Sequence, residues 1–410
     1  VPPADPVVPP APPPSTTAWN RNVVGLGVTS LLTDVSTEML IPVLPLFITS
    51  TLHASAASLG IIEGVAESTA SLLRLGSGWL SDRVGRRKPF LLFGYGLSTV
   101  AKGALALAAS WPAVLAMRFT DRVGKGLRNP PRDALIADSV TAEQRGRAYG
   151  LHRALDTLGA ALGPLAAFAM LAAWPGHYRR IFAASVIPGA LALVALAVLV
   201  RAPRRAPAPR SLGSSMRSLG DPLRRFVIAD TVFQLGNSSM AFVLLRAKSG
   251  GMPEGFVALA YALYNLIYAG LALPLGAMSD RIGRRRLILL AYALYAVVYA
   301  MLGLSGAPAM VVGALALLGV QSALIEGAHR SLIADFVSPD QRGTAFGVYH
   351  TAVGFALLPA SILAGWLWDR FGARTTFYTD AALAAAAAVV FALLLPARHE
   401  QRDRHRDAIA

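Results

Sequence analysis

The chain has 410 residues, 54% hydrophobic and 15% charged, whereas soluble domains carry about 25% charged residues; the deficit argues for a polytopic membrane protein. The absence of cysteine excludes a disulfide framework, a thiolate metal site and a cysteine nucleophile. The net charge of +15 clusters between apolar spans, so it reads as cytoplasmic loops, and no nucleic-acid partner is expected.

Residues 1–20 are Pro-rich and read as a disordered, solvated cytoplasmic tail without the basic region and apolar core of a signal peptide. Apolar stretches of about 20 residues or more then predict spans. They fall near 22–50, 56–81, 89–109, 112–139, 145–173, 178–200, 222–248, 254–280, 286–305, 308–338, 342–369 and 373–396. The organisation expected is an all-α membrane protein: a six-helix bundle over 21–200, a basic cytoplasmic linker over 201–221, a second six-helix bundle over 222–396 and a cytoplasmic tail over 397–410. The basic loops at 81–88, 141–147, 201–218, 279–286 and 338–344 all follow even-numbered spans, whereas loops such as "HASAAS" and "SGAPAM" carry almost no positive charge. The positive-inside rule therefore puts both termini in the cytoplasm.

Span one contains "LLTDVSTEML", with Asp34 and Glu38 four residues apart on one helix face. At about 1.5 Å per residue Asp34 lies roughly 18 Å into the helix, near the midplane. An acid there costs about 2.5–3.5 kcal/mol on insertion scales, and two so close should not both be ionised. Such a pair suits proton loading and release; it could also chelate a cation or sit in static ion pairs with Arg. Pro42 and Pro45 should bend the outer half of this span. Span two adds Glu63, Glu67 and Arg74 on one face; Glu67 is the deeper acid, and Glu63 falls near the outer headgroup level, where water could solvate it.

Span four is the most charged. Arg118, Asp121, Arg122, Lys125 and Arg132 form one stripe that must face protein or a water-filled cavity. Its arginines could tune the carboxylates of spans one and two or bind an anion bidentately. Asn129-Pro130-Pro131 should break or kink the helix. Span five brings Arg153 and Asp156 to one face, as an ion pair or as substrate contacts. In span seven Asp230, Gln234 and Asn237 share a face. Span eight offers Tyr264 and Asn265 among several tyrosines. In span ten Glu326, His329 and Arg330 cluster; Glu326 and His329 could ligate a metal, although a hydrogen-bonded structural His is the plainer reading.

The chain repeats itself. "SDRVGRRK" at Ser81 returns as "SDRIGRRR" at Ser279, an offset of 198 (279 − 81), and "ALIADSVTAEQRGRAYG" at Ala134 returns as "SLIADFVSPDQRGTAFG" at Ser331, an offset of 197 (331 − 134). Both repeats are parallel, and duplicated halves with a site between them near the midplane are a recurrent plan for secondary transporters.

Across nearly all its length the chain resembles the major facilitator superfamily. The stretch from Gly78 to Lys88 looks like the family's motif between helices two and three, with an echo at Gly276 to Arg286; "RFTDRVGKGLRNPPRDALIAD" from Arg118 looks like its fourth-helix motif; Gly159-Ala160-Ala161-Leu162-Gly163-Pro164 resembles its antiporter motif. The resemblance implies a twelve-helix transporter of two pseudo-symmetric bundles. It implies a conformational latch at Gly78, Asp82, Arg83, Gly85 and Arg86, repeated at Asp280, Arg281 and Gly283, and close helix packing with a bend at Gly159, Gly163 and Pro164.

The reading that follows is a monomeric, multi-pass, proton-driven exporter of a small molecule or ion across a bacterial-type inner membrane, with no cofactor beyond the proton gradient. Asp34, Glu38, Glu67, Arg118, Asp121 and Arg122 are the expected coupling residues. Arg153, Asp156, Gln234, Asn237, Tyr264, Asn265, Glu326 and His329 are the expected substrate contacts. The alternatives are an exporter of a divalent metal (nickel, cobalt, iron) or its chelate or siderophore, and a non-transporting membrane sensor. No phosphate loop, HExxH or nucleophile elbow supports an enzyme.

Overall fold

The computed structural model describes residues 15–17, 19–202, 220–338 and 341–396; most of both expected tails and of the linker lies outside them. Its helices, with interrupted ones taken as one span, are α1 (Arg21–Glu38), α2 (Ala56–Val84), α3 (Lys88–Leu107), α4 (Trp111–Asp138), α5 (Arg145–Ala173), α6 (Tyr178–Leu199), α7 (Asp221–Ser249), α8 (Glu254–Ile282), α9 (Arg284–Leu304), α10 (Pro308–Asp335), α11 (Arg342–Phe371) and α12 (Ala373–Leu394). No strand occurs among the described residues. Nine of these helices are long and apolar enough to cross a membrane. The other three, α1, α2 and α4, carry the acids and arginines of the expected coupling set.

Local chemistry sets the ends. Asn20 caps α1 by accepting from the N–H groups of Asn22 and Val23, both at 3.0 Å. Pro89, Pro112, Pro222 and Pro308 sit in the first turns of α3, α4, α7 and α10, where a missing N–H is harmless. Gly85 closes α2 at φ +66°, and Gly283 precedes α9 at φ +98°, both conformations that side chains disfavour.

Three helices depart from the simple spans. The expected span 22–50 stops as an α-helix at Glu38, turns through 39–43, and resumes as Leu44–Leu46 and Phe47–Thr51; Pro42 and Pro45 lie at this break. Span seven is interrupted at 236–239 between Asp221–Leu235 and Met240–Ser249. Helix α4, by contrast, continues through Pro130 and Pro131, so of the expected break or kink it shows no break. Pro130 has no N–H for the carbonyl of Gly126, and Ser77 Oγ of α2 donates to that oxygen instead, at 2.8 Å. Neighbouring side chains thus restore what proline removes.

The two bundles meet along α2 with α11 and along α5 with α8. The contact is tight at the end away from the basic loops. A Cβ on Gly64 would lie 2.9 Å from the Leu358 carbonyl oxygen. Asp369 accepts from the Ala56 and Ala57 N–H groups at 2.9 and 2.8 Å, an anion at the start of α2. Tyr178 donates to Glu254 at 2.5 Å. Toward the basic loops a Cβ on Gly76, Gly146, Gly150 or Gly270 would meet no atom within 4 Å. The bundles are thus in close contact at one end and leave open space beside these glycines at the basic-loop end.

Candidate functional site

Arg118, Asp121 and Arg122 of the α4 stripe are buried and paired, while Lys125 and Arg132 are half-buried. Arg118 bonds Glu63 at 2.9 Å and lies 3.6 Å from Asp121. Arg122 bonds Glu67 at 2.8 Å. Ser98 of α3 donates to Asp121. Glu63 is 6% exposed, so it is not solvated at the headgroup level: the arginine of α4 holds it inside the bundle. Charges in this setting persist because each is opposed by another or by a hydrogen bond. Ser239, at the break in α7, donates to the second oxygen of Glu63 at 3.2 Å, which ties the first bundle to the second.

Asp34 and Glu38 separate in their partners. Asp34 is in hydrogen-bonding contact with Asp156 of α5, and Asp156 also takes Ser30 Oγ at 2.6 Å and Arg153 at 3.3 Å. Glu38 instead accepts from Tyr261 of α8 at 2.8 Å. The approach of α5 to α1 is permitted by glycine. A Cβ on Gly159 would meet Asp34 Cβ at 3.1 Å, and one on Gly163 would meet Glu38 Cβ at 2.7 Å. Pro164 deprives the Ala160 carbonyl of its helical partner, and Asn265 of α8 donates to that oxygen at 3.0 Å. Asn265, expected at the substrate, is thereby engaged in backbone support between the bundles.

The second bundle contains a cavity of about 440 Å³. Gln234, Asn237, Tyr264, Glu326 and His329 line it, with Phe233, Tyr299, Gln321, Arg330, Tyr349 and His350. Of the expected substrate residues, Arg153 reaches this cavity through Glu326, which it bonds at 2.8 Å, and through Tyr268 of α8; Glu326 also takes Arg330 at 2.8 Å. Behind the wall lies Asp230, fully buried. It accepts from Tyr292 at 2.6 Å and Gln234 at 3.1 Å, and His329 Nε2 lies 3.5 Å away. His329 Nδ1 faces the Tyr349 hydroxyl at 3.2 Å. Both members of the Glu326–His329 pair are therefore occupied, and among the described residues no cluster of three or more His, Asp or Glu side chains could hold a metal ion.

At the basic-loop end the repeats become contacts. Arg87 pairs with Asp138 and Arg284 with Asp335; the two aspartates are repeat equivalents (335 − 138 = 197), whereas Arg284 aligns with Arg86 at the loop motif's offset of 198. Arg86 is exposed, Arg83 stands 5.2 Å over the Trp79 ring, and Gly78 faces Pro130. The side chains of Asp82, Asp280 and Arg281 lie outside the described residues. Sequence reasoning missed the Asp138 and Asp335 partners, although both stand in the repeated "IAD" triplets. It also missed Lys102, a lysine inside the apolar α3, which is 2% exposed and donates to Thr37 Oγ1 at 3.2 Å. Nor did it find Arg128, buried with its guanidinium 4.5 Å over the Tyr95 ring, or Asp380, which accepts from Ser238 at 2.6 Å.

Residues 26–245 and 226–410 match the family model described as Major Facilitator Superfamily. An uncharacterized MFS-type transporter of Methanocaldococcus jannaschii is 32% identical over 371 residues, 89% of this chain and 92% of that protein. The multidrug resistance protein MdtH of Photorhabdus laumondii is 24% identical, over 83% and 85% of the two chains. Among solved structures, a bacterial homolog of the human lysosomal transporter Spinster, inward-facing and unoccupied, superposes with a TM-score of 0.75 at 17% identity, over 91% of this chain and 96% of that one.

Proposed function

The chain belongs to the Major Facilitator Superfamily of membrane transporters, and on that premise we propose that it is a proton-driven exporter of a small solute, working by alternating access. One observation carries the reading. The carboxyls of Asp34 and Asp156 touch on α1 and α5, while Glu38, one turn away, is held by Tyr261 of the opposite bundle. Two carboxylates in contact repel in a low dielectric unless a proton lies between them. Gain or loss of that proton would change how closely α5 can lie on α1, and Glu38, Asn265 and Ser239 would carry the change to the second bundle. Arg118, Asp121, Arg122 and Glu67 hold the surrounding field fixed.

The cavity beside Glu326 and Tyr264 is the substrate site in this reading. The basic loops face the cytoplasm by the positive-inside rule, which makes the conformation described here inward-open. Likeness to multidrug resistance proteins and the glycine motif on α5 favour export over import.

Proton movement in sealed liposomes tests the proposal. A pH gradient is imposed and candidate solutes are added singly to wild type, Asp34→Asn and Glu38→Gln. A solute-triggered proton flux that both variants lose is expected. Solute flux without proton flux, unchanged in the variants, would sink the coupling role of this pair.

A further inference from the structure

At the basic-loop end the two bundles confront each other with positive charge. Ser68 Oγ of α2 donates to the Gly354 carbonyl of α11 at 2.6 Å, and a Cβ on Gly354 would meet Ser71 at 2.9 Å. Because Gly60 and Gly64 meet Ser361 and Leu358, the two helices run antiparallel here. One turn nearer the basic loops, the same register sets Arg74 opposite His350. Arg74 Nε is buried without a hydrogen-bond partner. His350 and the exposed Arg330 of α10 line the cavity together. Arg132 of α4 and Arg330 both lie within electrostatic reach of Arg74, and Arg74 and Arg330 within reach of His350.

The carboxylates near Arg74 and Arg330 already answer other cations, Glu326 being shared between Arg153 and Arg330 itself. Glu67 takes Arg122 at 2.8 Å, and Asp133 takes Arg132 at 3.0 Å. Among the described residues Arg74 makes no ion pair. Like charges gathered in a partly dry cleft repel one another, and a planar or tetrahedral oxyanion matches the guanidinium fork.

We infer that Arg74, Arg330 and His350 form the anion-recognising end of the substrate cavity, and that the cargo is an organic anion. Its carboxylate, sulfonate or phosphate would sit between the two arginines, one from each bundle. Its aromatic or apolar body would lie on Phe233, Tyr264 and Tyr299. The volume of about 440 Å³ falls within the usual range of about 300–1,000 Å³ for ligand pockets. The inference rests on the reading of this cavity as the substrate site. An anion bridging Arg74 and Arg330 would also draw the bundles together at the basic-loop end, the movement that alternating access needs.

The test compares two dyes of one scaffold and opposite charge, carboxyfluorescein and rhodamine 6G, binding to the purified full chain by fluorescence polarisation. Wild type is expected to bind carboxyfluorescein saturably and rhodamine 6G more weakly. Arg74→Gln and Arg330→Gln should each weaken carboxyfluorescein binding by about tenfold or more, the loss of one charge-assisted contact. Arg74→Lys should retain part of it, and Arg286→Gln at the exposed start of α9 should leave it unchanged. Arg330 is exposed, so its variant folds even if Arg74→Gln does not. No saturable carboxyfluorescein binding, binding that survives both glutamine variants, or preference for rhodamine 6G would overturn the assignment. An anionic lipid headgroup carries the same chemistry. Displacement of the dye by phosphatidylglycerol micelles but not by naphthalene-1-sulfonate would overturn a soluble cargo. Because binding is read without a gradient, dye binding with no proton flux would remove the coupling proposal and leave this site standing.

Discussion

The two bundles bury acids in different company. In the first, Glu63 and Asp121 face Arg118 and Arg122. In the second, Asp230 and Asp380 face hydroxyls and an amide from Tyr292, Gln234 and Ser238. Along α4 the first bundle answers its acids with full charges, whereas these two acids of the second bundle are answered by neutral donors. The difference matters because a buried ion left without its partner is far costlier than a carboxylate deprived of one of several neutral donors. The first bundle is built so that moving one charge disturbs all the others. The second surrounds a cavity.

Arg118→Gln should therefore have the largest effect. It leaves Glu63 and Asp121 buried with one fewer cation, and breaking a buried pair costs about 3–5 kcal/mol. Denaturant titration in mixed micelles would measure it, and transport should be lost. Tyr292→Phe removes one of the donors to Asp230 in the second bundle and should cost about 1.5–3 kcal/mol, the range for a hydrogen bond to a charged group. If it proves as costly as Arg118→Gln, the contrast between the bundles fails. Tyr299→Phe should be mildest. Its hydroxyl lies 3.5 Å from the Ser238 carbonyl, at the outer limit of a hydrogen bond, so a change within about 0.5 kcal/mol is expected, as for substitutions that remove no strong contact. A larger loss would show that the break in α7 depends on this hydroxyl as well as on Asp380.

Much of the architecture was legible in one dimension. Span positions follow from runs of apolar residues, and the doubling of the chain follows from the repeated "SDR" and "IAD" segments. The glycines of α5 stood out because small residues four apart permit close packing. The ionisable stripe of α4 was legible as a face because helical spacing alone puts those side chains together.

Other features were not, because they depend on partners brought from distant helices. Asp34 and Glu38 share a face, yet the first meets Asp156 and the second Tyr261. Spacing within α1 cannot say which neighbour each will find. Asn265 looked like a pocket residue, but its partner is a carbonyl exposed by a proline on another helix. Glu63 looked solvated by depth alone until Arg118 was placed beside it.

What the sequence by itself determined is therefore local and periodic: the spans, their duplication, the charged face of α4 and the family to which the motifs belong. Only the tertiary structure decided which acid answers which arginine and where the cavity lies. The physical reason is range. Hydropathy and helical period act within a few turns of chain, whereas ion pairing and packing are settled between residues more than a hundred positions apart, such as Arg153 and Glu326.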